Sequence, residues 1–174
     1  MSDNAEVFDF VIVGAGISGI NCAYRLQTQL PHAKFTVLEC RDEIGGTWSQ
    51  FTYPGARSDT TMFTLGFEWH SWSSMRPIAG SPEIMEYLHD AVSKYRLGRY
   101  VRFRHKVLSA KWSSEEQLWD LTVDHGGRQY HFTTHWLVLS TGYYDYQTPL
   151  QADIPDLENY KGKWRLVNMT NTKP

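Results

Sequence analysis

The sequence has few cysteines, no long apolar run and no excess of charge of one sign. Its 174 residues include only Cys22 and Cys40, and the absence of a Cys-x-x-Cys pair excludes a redox disulfide of that type. The 17 basic and 19 acidic residues give a formal net charge of −2, which provides no electrostatic attraction for nucleic acid or an anionic membrane. The longest apolar stretch, residues 10–20, contains glycines and is far shorter than the ~20 residues of a membrane span.

The sequence also lacks the signals for secretion and for a metal site. Residues 1–6 are acidic, without the basic and then apolar order of a signal peptide. His131 and His135 are four residues apart in a segment that we expect to be a strand, where this spacing does not bring two metal ligands together. We therefore expect a cytoplasmic protein with one domain, no metal, no membrane span and no nucleic-acid partner.

The most informative stretch is residues 8–19. Residues 8–13 form a short apolar run, which is typical of a strand buried in a parallel sheet. Gly14, Gly16 and Gly19 follow with the spacing G-x-G-x-x-G. In this pattern the first glycine permits a tight turn, the second lets a pyrophosphate approach the backbone, and the third lets the helix lie close to the strand. The phosphates would face the positive end of the helix dipole.

The next residues complete a β-α-β unit. Apolar residues recur at helical spacing from Ile20 to Leu30, and Pro31 ends the helix. A second apolar strand, residues 35–38, leads to Glu39, which lies 39 − 19 = 20 residues after Gly19. A carboxylate at this offset accepts hydrogen bonds from the adenosine ribose and would repel a 2′-phosphate. The unit predicts a site for FAD or NAD, and a glycine-rich turn followed by a solvated glutamate stays open as the alternative.

The rest of the chain predicts a second helix and then a β-meander. Ser81-Pro82-Glu83 predicts a helix start with Ser81 as the N-cap, and Gly98 predicts its end. From Tyr100 the apolar pattern changes to period two. The predicted meander strands are residues 107–112, 118–123 and 129–133, and a separate last strand, residues 136–140, returns to the parallel sheet.

An aromatic-rich stretch over residues 63–72 has two open interpretations. Phe63, Phe67, Trp69 and Trp72 serve either as packing residues or as one wall of a substrate or nicotinamide pocket.

Two further loops carry the strongest functional signal. Gly45-Gly46-Thr47-Trp48 follows Glu39, and the run Tyr-Pro-Gly-Ala-Arg-Ser-Asp occupies residues 53–59. Together with residues 14–19, and in this order, these motifs resemble the N-terminal FAD domain of class B flavoprotein monooxygenases. Within that family the chain most resembles the Baeyer–Villiger branch. The resemblance covers about the first 160 residues.

The resemblance implies a fold, two cofactors and a reaction. The fold over residues 1–160 is an α/β, Rossmann-like three-layer FAD/NAD(P)-binding domain, a parallel sheet with helices on one side and a β-meander on the other. FAD is the bound cofactor and NADPH the co-substrate. The reaction inserts one oxygen atom from O₂ into a ketone, or oxidises the sulfur or nitrogen of a small-molecule substrate.

The resemblance also implies the site residues. Gly14, Gly16, Ser18 and Gly19 would hold the pyrophosphate and Glu39 the ribose, and the backbone near Val107 would meet the adenine. The residues near the flavin end of FAD would be Gly46, Thr47, Trp48, Ser49, Gln50 and Asp59. Those that border NADPH would be Arg57, Ser58 and Asp59. Asp59 is the candidate catalytic residue, because it resembles the carboxylate partner of an arginine that Baeyer–Villiger enzymes carry on a later segment.

The resemblance fails near the end of the chain. The family signature aromatic-x-Gly-x-x-x-His-x-x-x-Trp, counted from Tyr160, requires histidine and tryptophan where the chain has Leu166 and Thr170. We expect residues 161–174 to be a divergent tail and the chain to be truncated before the NADPH domain, so that it is inactive alone. The alternatives are a non-catalytic FAD- or NAD-binding module and half of a split enzyme, which pairs with a second chain carrying the NADPH domain.

Overall fold

The computed structural model describes residues 6–145 and 153–162, and it centres on one six-stranded sheet. The strands are β1 (Glu6–Val13), β2 (Phe35–Leu38), β3 (Val101–Arg102), β4 (Lys106–Ser113), β5 (Leu118–His125) and β6 (Arg128–Leu139). Their order in the sheet is β3-β2-β1-β6-β5-β4. β1, β2, β3 and β6 pair in parallel, whereas β4, β5 and β6 form an antiparallel meander. Because β6 belongs to both parts, it joins the meander to the parallel sheet.

The helices connect the parallel strands. They are α1 (Ile17–Gln29), α2 (Thr47–Gln50), α3 (Met62–Leu65) and α4 (Ser81–Lys94), with 3₁₀ turns at Leu97–Tyr100 and Leu157–Asn159. The predicted strand, glycine turn, helix and second strand are all confirmed, and α1 is capped by Leu30, directly before Pro31. All four residues of β2 are buried, as expected of an inner parallel strand covered on both faces.

Two apolar cores lie on opposite faces of the sheet. On one face Ile12 and Val37 pack against α1 and α4, whose core residues include Ile20, Ile84 and Leu88. On the other face the strand residues Phe8, Val11 and Leu38 pack against Leu121, Val123 and Phe132 of the meander. Each fully buried aliphatic side chain contributes about 1.5–3 kcal/mol to folding. The predicted three-layer α/β arrangement, with helices on one side and a meander on the other, is confirmed.

The last two predicted strands, residues 129–133 and 136–140, form the single strand β6. The polar residues Thr134 and His135 separate the two predicted strands in the sequence. Thr134 is nevertheless fully buried, and its hydroxyl donates to the Asp9 carbonyl oxygen of β1 over 3.2 Å. The strand continues through the polar run because Thr134 is paired with Phe8 of β1 and with Trp119 of β5.

The predicted boundaries of α4 are wrong at both ends. The N-cap is Gly80, not Ser81, and the Glu83 carboxylate accepts a hydrogen bond from the Gly80 N–H at 2.9 Å. Ser81 is buried in the first turn, where its hydroxyl donates to the Ala56 carbonyl oxygen at 3.3 Å. At the other end the helix stops at Lys94, because Arg96 has a left-handed φ of 55°. Gly98, the predicted stop, lies in the following 3₁₀ turn.

Most of the aromatic stretch serves packing. Trp69 is stacked between Tyr24 and Phe67, with ring centroids 3.8 and 4.4 Å away. Phe67 is buried, whereas Phe63 is 63% exposed. The stretch therefore attaches α1 to the segment before α4, and Phe63 takes no part in that packing.

A buried histidine predicts a loss of stability in mild acid. His70 is 8% exposed, and its Nε2 lies 3.1 Å from Asp90 Oδ2. Burial lowers the pKa of His70 below its ordinary 6.5, and the charge of Asp90 opposes this shift in part. Since the unfolded chain then binds the proton more readily, the stability present above pH 6.5 is lost as the pH falls toward the lower folded pKa.

We expect the melting temperature of the wild type to fall more steeply below pH 6.5 than that of His70→Gln. Gln keeps a polar donor near Asp90 without a titrating ring. Thermal melts of both proteins at and below pH 6.5 measure the difference. Parallel curves of melting temperature against pH would show that His70 binds a proton as readily in the folded protein as in the unfolded chain.

Candidate dinucleotide-binding site

Gly14 and Gly19 are required by the fold itself. Gly14 has a φ of +103°, and a Cβ added there would lie 2.6 Å from the carbonyl oxygen of Ser140, just beyond β6. A Cβ on Gly19 would overlap the carbonyl oxygen of Gly14. The two glycines therefore let β1 turn sharply into α1 and let α1 lie directly against that turn.

Gly16 is different, because nothing in the described chain requires a glycine there. Its φ of −72° and ψ of −174° suit any residue. A Cβ added to it would find Gly46 Cα as its nearest neighbour, at 3.7 Å, which is ordinary van der Waals contact. A methyl group would therefore fit at Gly16 without a clash, and this is the position where a pyrophosphate would approach the backbone.

The N-terminus of α1 opens toward the same space. Gly16 is its N-cap and makes no side-chain capping bond, and the first turn contains no acidic residue. The first N–H groups of a helix have no acceptor within that helix, so they remain available to an anion together with the helix dipole. Ser18 is exposed in this turn and Gly19 is buried beneath it.

Glu39 lies at the mouth of the glycine turn. It is only 6% exposed. Its Oε2 accepts a hydrogen bond from the Ala15 N–H at 2.7 Å, and its Oε1 accepts one from the Arg41 N–H at 2.9 Å. The carboxylate therefore joins the end of β2 to the turn after β1, and it is held in place by backbone donors from both segments.

Cys40 follows Glu39, and its thiol has a raised pKa although the residue is exposed. Burial raises the pKa of its thiol, and the neighbouring Glu39 charge raises it further. Because the thiolate is the reactive form, this environment favours an unreactive thiol. Cys22 is likewise unpaired, and burial raises its pKa as well.

The second glycine loop lies directly against the first. The Gly45 N–H donates to the Ala15 carbonyl oxygen at 3.0 Å. A Cβ on Gly46, whose φ is +55°, would come within 3.1 Å of Gly16 Cα. The Arg41 guanidinium fixes this loop, since it donates to Ser49 Oγ at 2.8 Å and pairs with Glu43.

The four residues that follow form the short helix α2. Thr47, Trp48, Ser49 and Gln50 are all half-buried, and Trp48 packs against the helix-side core. On its far side the loop rests on α4, because a Cβ on Gly45 would overlap Met85 Sδ. The sequence motifs at residues 14–19, 39 and 45–50 are therefore brought together into one site.

The third motif, residues 53–59, is attached to the start of α4. Arg57 forms a β-bridge with Gly80, and the Ser58 N–H donates to the Ala79 carbonyl oxygen at 2.9 Å. Ser58 is buried and its hydroxyl donates to the Thr60 carbonyl oxygen at 2.6 Å, so this side chain holds the loop. Arg57 and Asp59 are exposed.

Two residues that sequence reasoning did not single out border this loop. Tyr143 and Tyr144 follow β6, and the Tyr144 ring centroid lies 5.3 Å from that of Phe51. A hydrogen bond with Tyr143 raises the pKa of Tyr144, and the charge of Asp59 adds to the shift. The two adjacent tyrosines directly after Thr141-Gly142 were the sequence signal available for them.

Val107 lies near Glu39 through the backbone. The His105 N–H donates to the Glu39 carbonyl oxygen and the Arg104 N–H to the Arg41 carbonyl oxygen, each at 2.8 Å. Val107 follows two residues later on β4, half-buried against the meander-side core. The start of β4 is thus fixed beside the end of β2.

The described residues contain no candidate metal centre. They contain no group of three or more His, Cys, Asp or Glu side chains that could hold a metal ion. Over the same residues, no helix is long and apolar enough to cross a membrane. The predicted tail, residues 161–174, lies outside the described part of the chain from residue 163 onward.

Known proteins resemble this chain in sequence and in fold. The sequence pattern of the NAD(P)-binding Rossmann-like domain family matches residues 12–90. The chain is 42% identical over 158 residues to the FAD-containing monooxygenase EthA of Mycolicibacterium smegmatis, covering 91% of this chain and 32% of EthA. By sequence, the chain resembles FAD-containing monooxygenases over about a third of their length. The resemblance seen in the sequence motifs is confirmed.

Further proteins are similar to this chain. The probable FAD-binding monooxygenase AlmA of Acinetobacter baylyi is 37% identical over 157 residues, covering 90% of this chain and 32% of AlmA. A cyclohexanone monooxygenase variant from Rhodococcus sp. Phi1 bound to NADP⁺ superposes with a TM-score of 0.73 at 28% identity, covering 88% of this chain and 29% of that one. OTEMO, solved with FAD and NADP, gives a TM-score of 0.72 at 27% identity, covering 90% and 29%. The chain spans about a third of the length of the curated relatives it matches.

Proposed function

We propose that the chain binds FAD at its two glycine loops, as the FAD-binding part of an NADPH- and O₂-dependent monooxygenase. The observation that carries the proposal is Gly16, which has room for a side chain inside the protein and yet lacks one, opposite Gly46. The printed names of the relatives support FAD as the ligand, and solved neighbours contain FAD and NADP.

The residues present fit an FAD molecule in one orientation. The turn from Gly14 to Gly19 and the N-terminus of α1 would hold the pyrophosphate, with Ser18 exposed beside it. Glu39 would accept hydrogen bonds from the ribose hydroxyls, and the backbone near Val107 would meet the adenine. The flavin end would extend past Gly46 along α2, toward Thr47, Trp48, Ser49 and Gln50.

The third motif would serve the nicotinamide side of the reaction. When bound, FAD supplies the redox chemistry, taking electrons from NADPH and delivering them to O₂. Arg57 and Asp59 are exposed on a loop that Ser58 fixes to the start of α4, so their charged groups can border NADPH. Asp59 would act as the charge partner of a basic group that the described residues do not place beside it. The substrate class stays a small molecule with a ketone, sulfur or nitrogen centre.

The test of the proposal is flavin retention. We expect the purified chain to keep a flavin absorption band, close to one FAD per chain, after incubation with FAD and desalting. A ligand at 100 times its dissociation constant stabilises a protein by about 2.7 kcal/mol, so the melting temperature should rise with FAD as well. Glu115→Gln, on an exposed meander turn, is the matched control and should retain FAD equally. A folded chain that keeps no flavin and gains no thermal stability would reject the proposal.

A second candidate is half of a split enzyme, working with a chain that carries the NADPH domain. Trp136, Leu139 and Tyr143 are 65%, 69% and 87% exposed at the end of β6, beside the glycine turn. An exposed apolar surface of this kind favours a protein partner. NADPH-dependent O₂ consumption that needs a copurifying chain would support this candidate. Flavin retention without any turnover in complexes would favour a non-catalytic FAD- or NAD-binding module.

We place the protein in the cytoplasm, whether it is a split enzyme or a binding module. Its two unpaired cysteines are consistent with that compartment.

A further inference from the structure

A groove separate from the glycine loops runs between α4 and the segment Trp69–Ser74. Its volume is about 600 Å³. The groove is lined by aromatic rings, by the three carboxylates of Glu83, Glu86 and Asp90, and by a single lysine, Lys94. Nothing in the proposed FAD site uses these side chains.

Hydrogen bonds hold the aromatic walls of this groove in place. The Tyr87 hydroxyl accepts from the Phe67 N–H at 2.6 Å and donates to the His70 carbonyl oxygen at 2.5 Å. The Tyr95 hydroxyl donates to the Trp69 carbonyl oxygen at 2.7 Å. The Trp72 indole N–H donates to the Arg76 carbonyl oxygen at 2.9 Å. Because these polar atoms already have partners, the rings are fixed before any ligand arrives.

The charge of the groove is negative. Glu83 is partly neutralised by Arg76, which lies 3.6 Å away. Asp90 faces His70, and burial lowers the pKa of that ring, so it stays largely neutral at pH 7. Glu86 is exposed, and no basic side chain within residues 6–145 or 153–162 forms a salt bridge with it. Glu86 and Asp90 remain, and Lys94 on the same face offsets one of these two charges, so the groove keeps a net negative charge that attracts a cation.

The groove lies on the side of α4 that faces away from the FAD site. Glu83, Glu86, Asp90 and Lys94 recur at helical spacing and share one face. Met85, which contacts Gly45 in the second glycine loop, is about 200° around the helix from that face at 100° per residue. A helix with its side chains is about 10–12 Å wide, so a molecule in the groove would not touch FAD.

We propose that this groove is a binding site for an organic cation, a small molecule with a protonated amine and an aromatic or alkyl body. The ammonium group lies by Glu86 and Asp90, and the body packs against Trp72 and Tyr87. An aromatic face attracts a cation and adds to the pull of the carboxylates. The proposal stands independently of FAD binding.

Three probes of the same shape and different charge test it. Phenethylammonium, 2-phenylethanol and phenylacetate are titrated separately into the ¹⁵N-labelled chain, followed by two-dimensional NMR. The indole N–H signal of Trp72 is assigned by its loss in Trp72→Phe. We expect phenethylammonium to give saturable shifts at Trp72 and along α4, with at least about fivefold weaker binding for the other two probes.

The variant Glu86→Gln/Asp90→Asn should weaken phenethylammonium binding at least about fivefold. The control Glu115→Gln/Glu116→Gln removes the same charge from an exposed meander turn and should leave binding unchanged. Equal binding of all three probes, shifts confined to the glycine loops, or no saturable shift would each overturn the proposal. A double variant that binds as tightly as the wild type would do so too.

Discussion

Gly16→Ala is expected to leave the protein folded and to weaken FAD binding at least about tenfold, which corresponds to about 1.4 kcal/mol. The added Cβ has 3.7 Å to its nearest protein neighbour, and the backbone angles suit alanine. Its cost to folding should be about 1 kcal/mol, since alanine is a poorer N-cap than glycine by roughly that amount. The same methyl group would occupy the space that a pyrophosphate needs beside the backbone.

Gly19→Ala is the matched variant, and we expect it to impair folding, which Gly16→Ala leaves intact. Alanine is favoured over glycine inside a helix by about 0.8–1.0 kcal/mol, yet here its Cβ would overlap the Gly14 carbonyl oxygen. We therefore expect a clear loss of melting temperature or no folded protein. Urea unfolding and FAD titration of both variants measure the difference. If Gly16→Ala bound FAD as tightly as the wild type, the open space at Gly16 would not be the pyrophosphate position.

Glu39→Ala is expected to destabilise the fold by about 3 kcal/mol or more, because a hydrogen bond to a charged group contributes about 1.5–3 kcal/mol. The substitution leaves the N–H groups of Ala15 and Arg41 without their acceptor in a buried place. It also removes the oxygens that would accept the ribose hydroxyls, so FAD binding should fall together with stability.

Glu39→Gln separates these two effects. The amide retains one acceptor oxygen and the shape of the side chain, so the loss of stability should be smaller than for alanine. Glu68→Gln is the control, since Glu68 forms an exposed pair with Arg25, and exposed pairs contribute about 0–1 kcal/mol. Thermal melts with and without FAD measure all three variants. Equal stabilities for Glu39→Ala and Glu68→Gln would show that the backbone bonds to Glu39 do not hold the turn.

Local patterns predicted the centre of the fold well. The spacing of Gly14 and Gly19, the apolar strand at residues 35–38 and the stop at Pro31 are all confirmed. These features depend on residues close in sequence, for which period and turn chemistry are direct signals. The resemblance then predicted the relationship to flavoprotein monooxygenases, because several motifs in a fixed order are far more specific than one.

Local patterns failed where distant residues supply a partner. β6 runs on through Thr134 because this residue is paired on both sides, with Phe8 of β1 and with Trp119 of β5. The start of α4 shifted by one residue because Ser81 donates to Ala56 in the preceding loop and leaves the cap to Gly80. These partners cannot be recognised from the sequence around the element.

The sequence by itself determined the order of the strand, glycine turn, helix and acidic residue, since each needs a residue type at a fixed spacing. Only the tertiary structure decided which glycine serves the fold and which leaves room for a ligand, because that depends on atoms from other segments. A Cβ at Gly14 would clash with Ser140, and a Cβ at Gly19 would clash with Gly14. A Cβ at Gly16 would meet Gly46 at ordinary van der Waals distance. The groove beside α4 likewise exists because hydroxyls of Tyr87 and Tyr95 hold a distant loop against the helix.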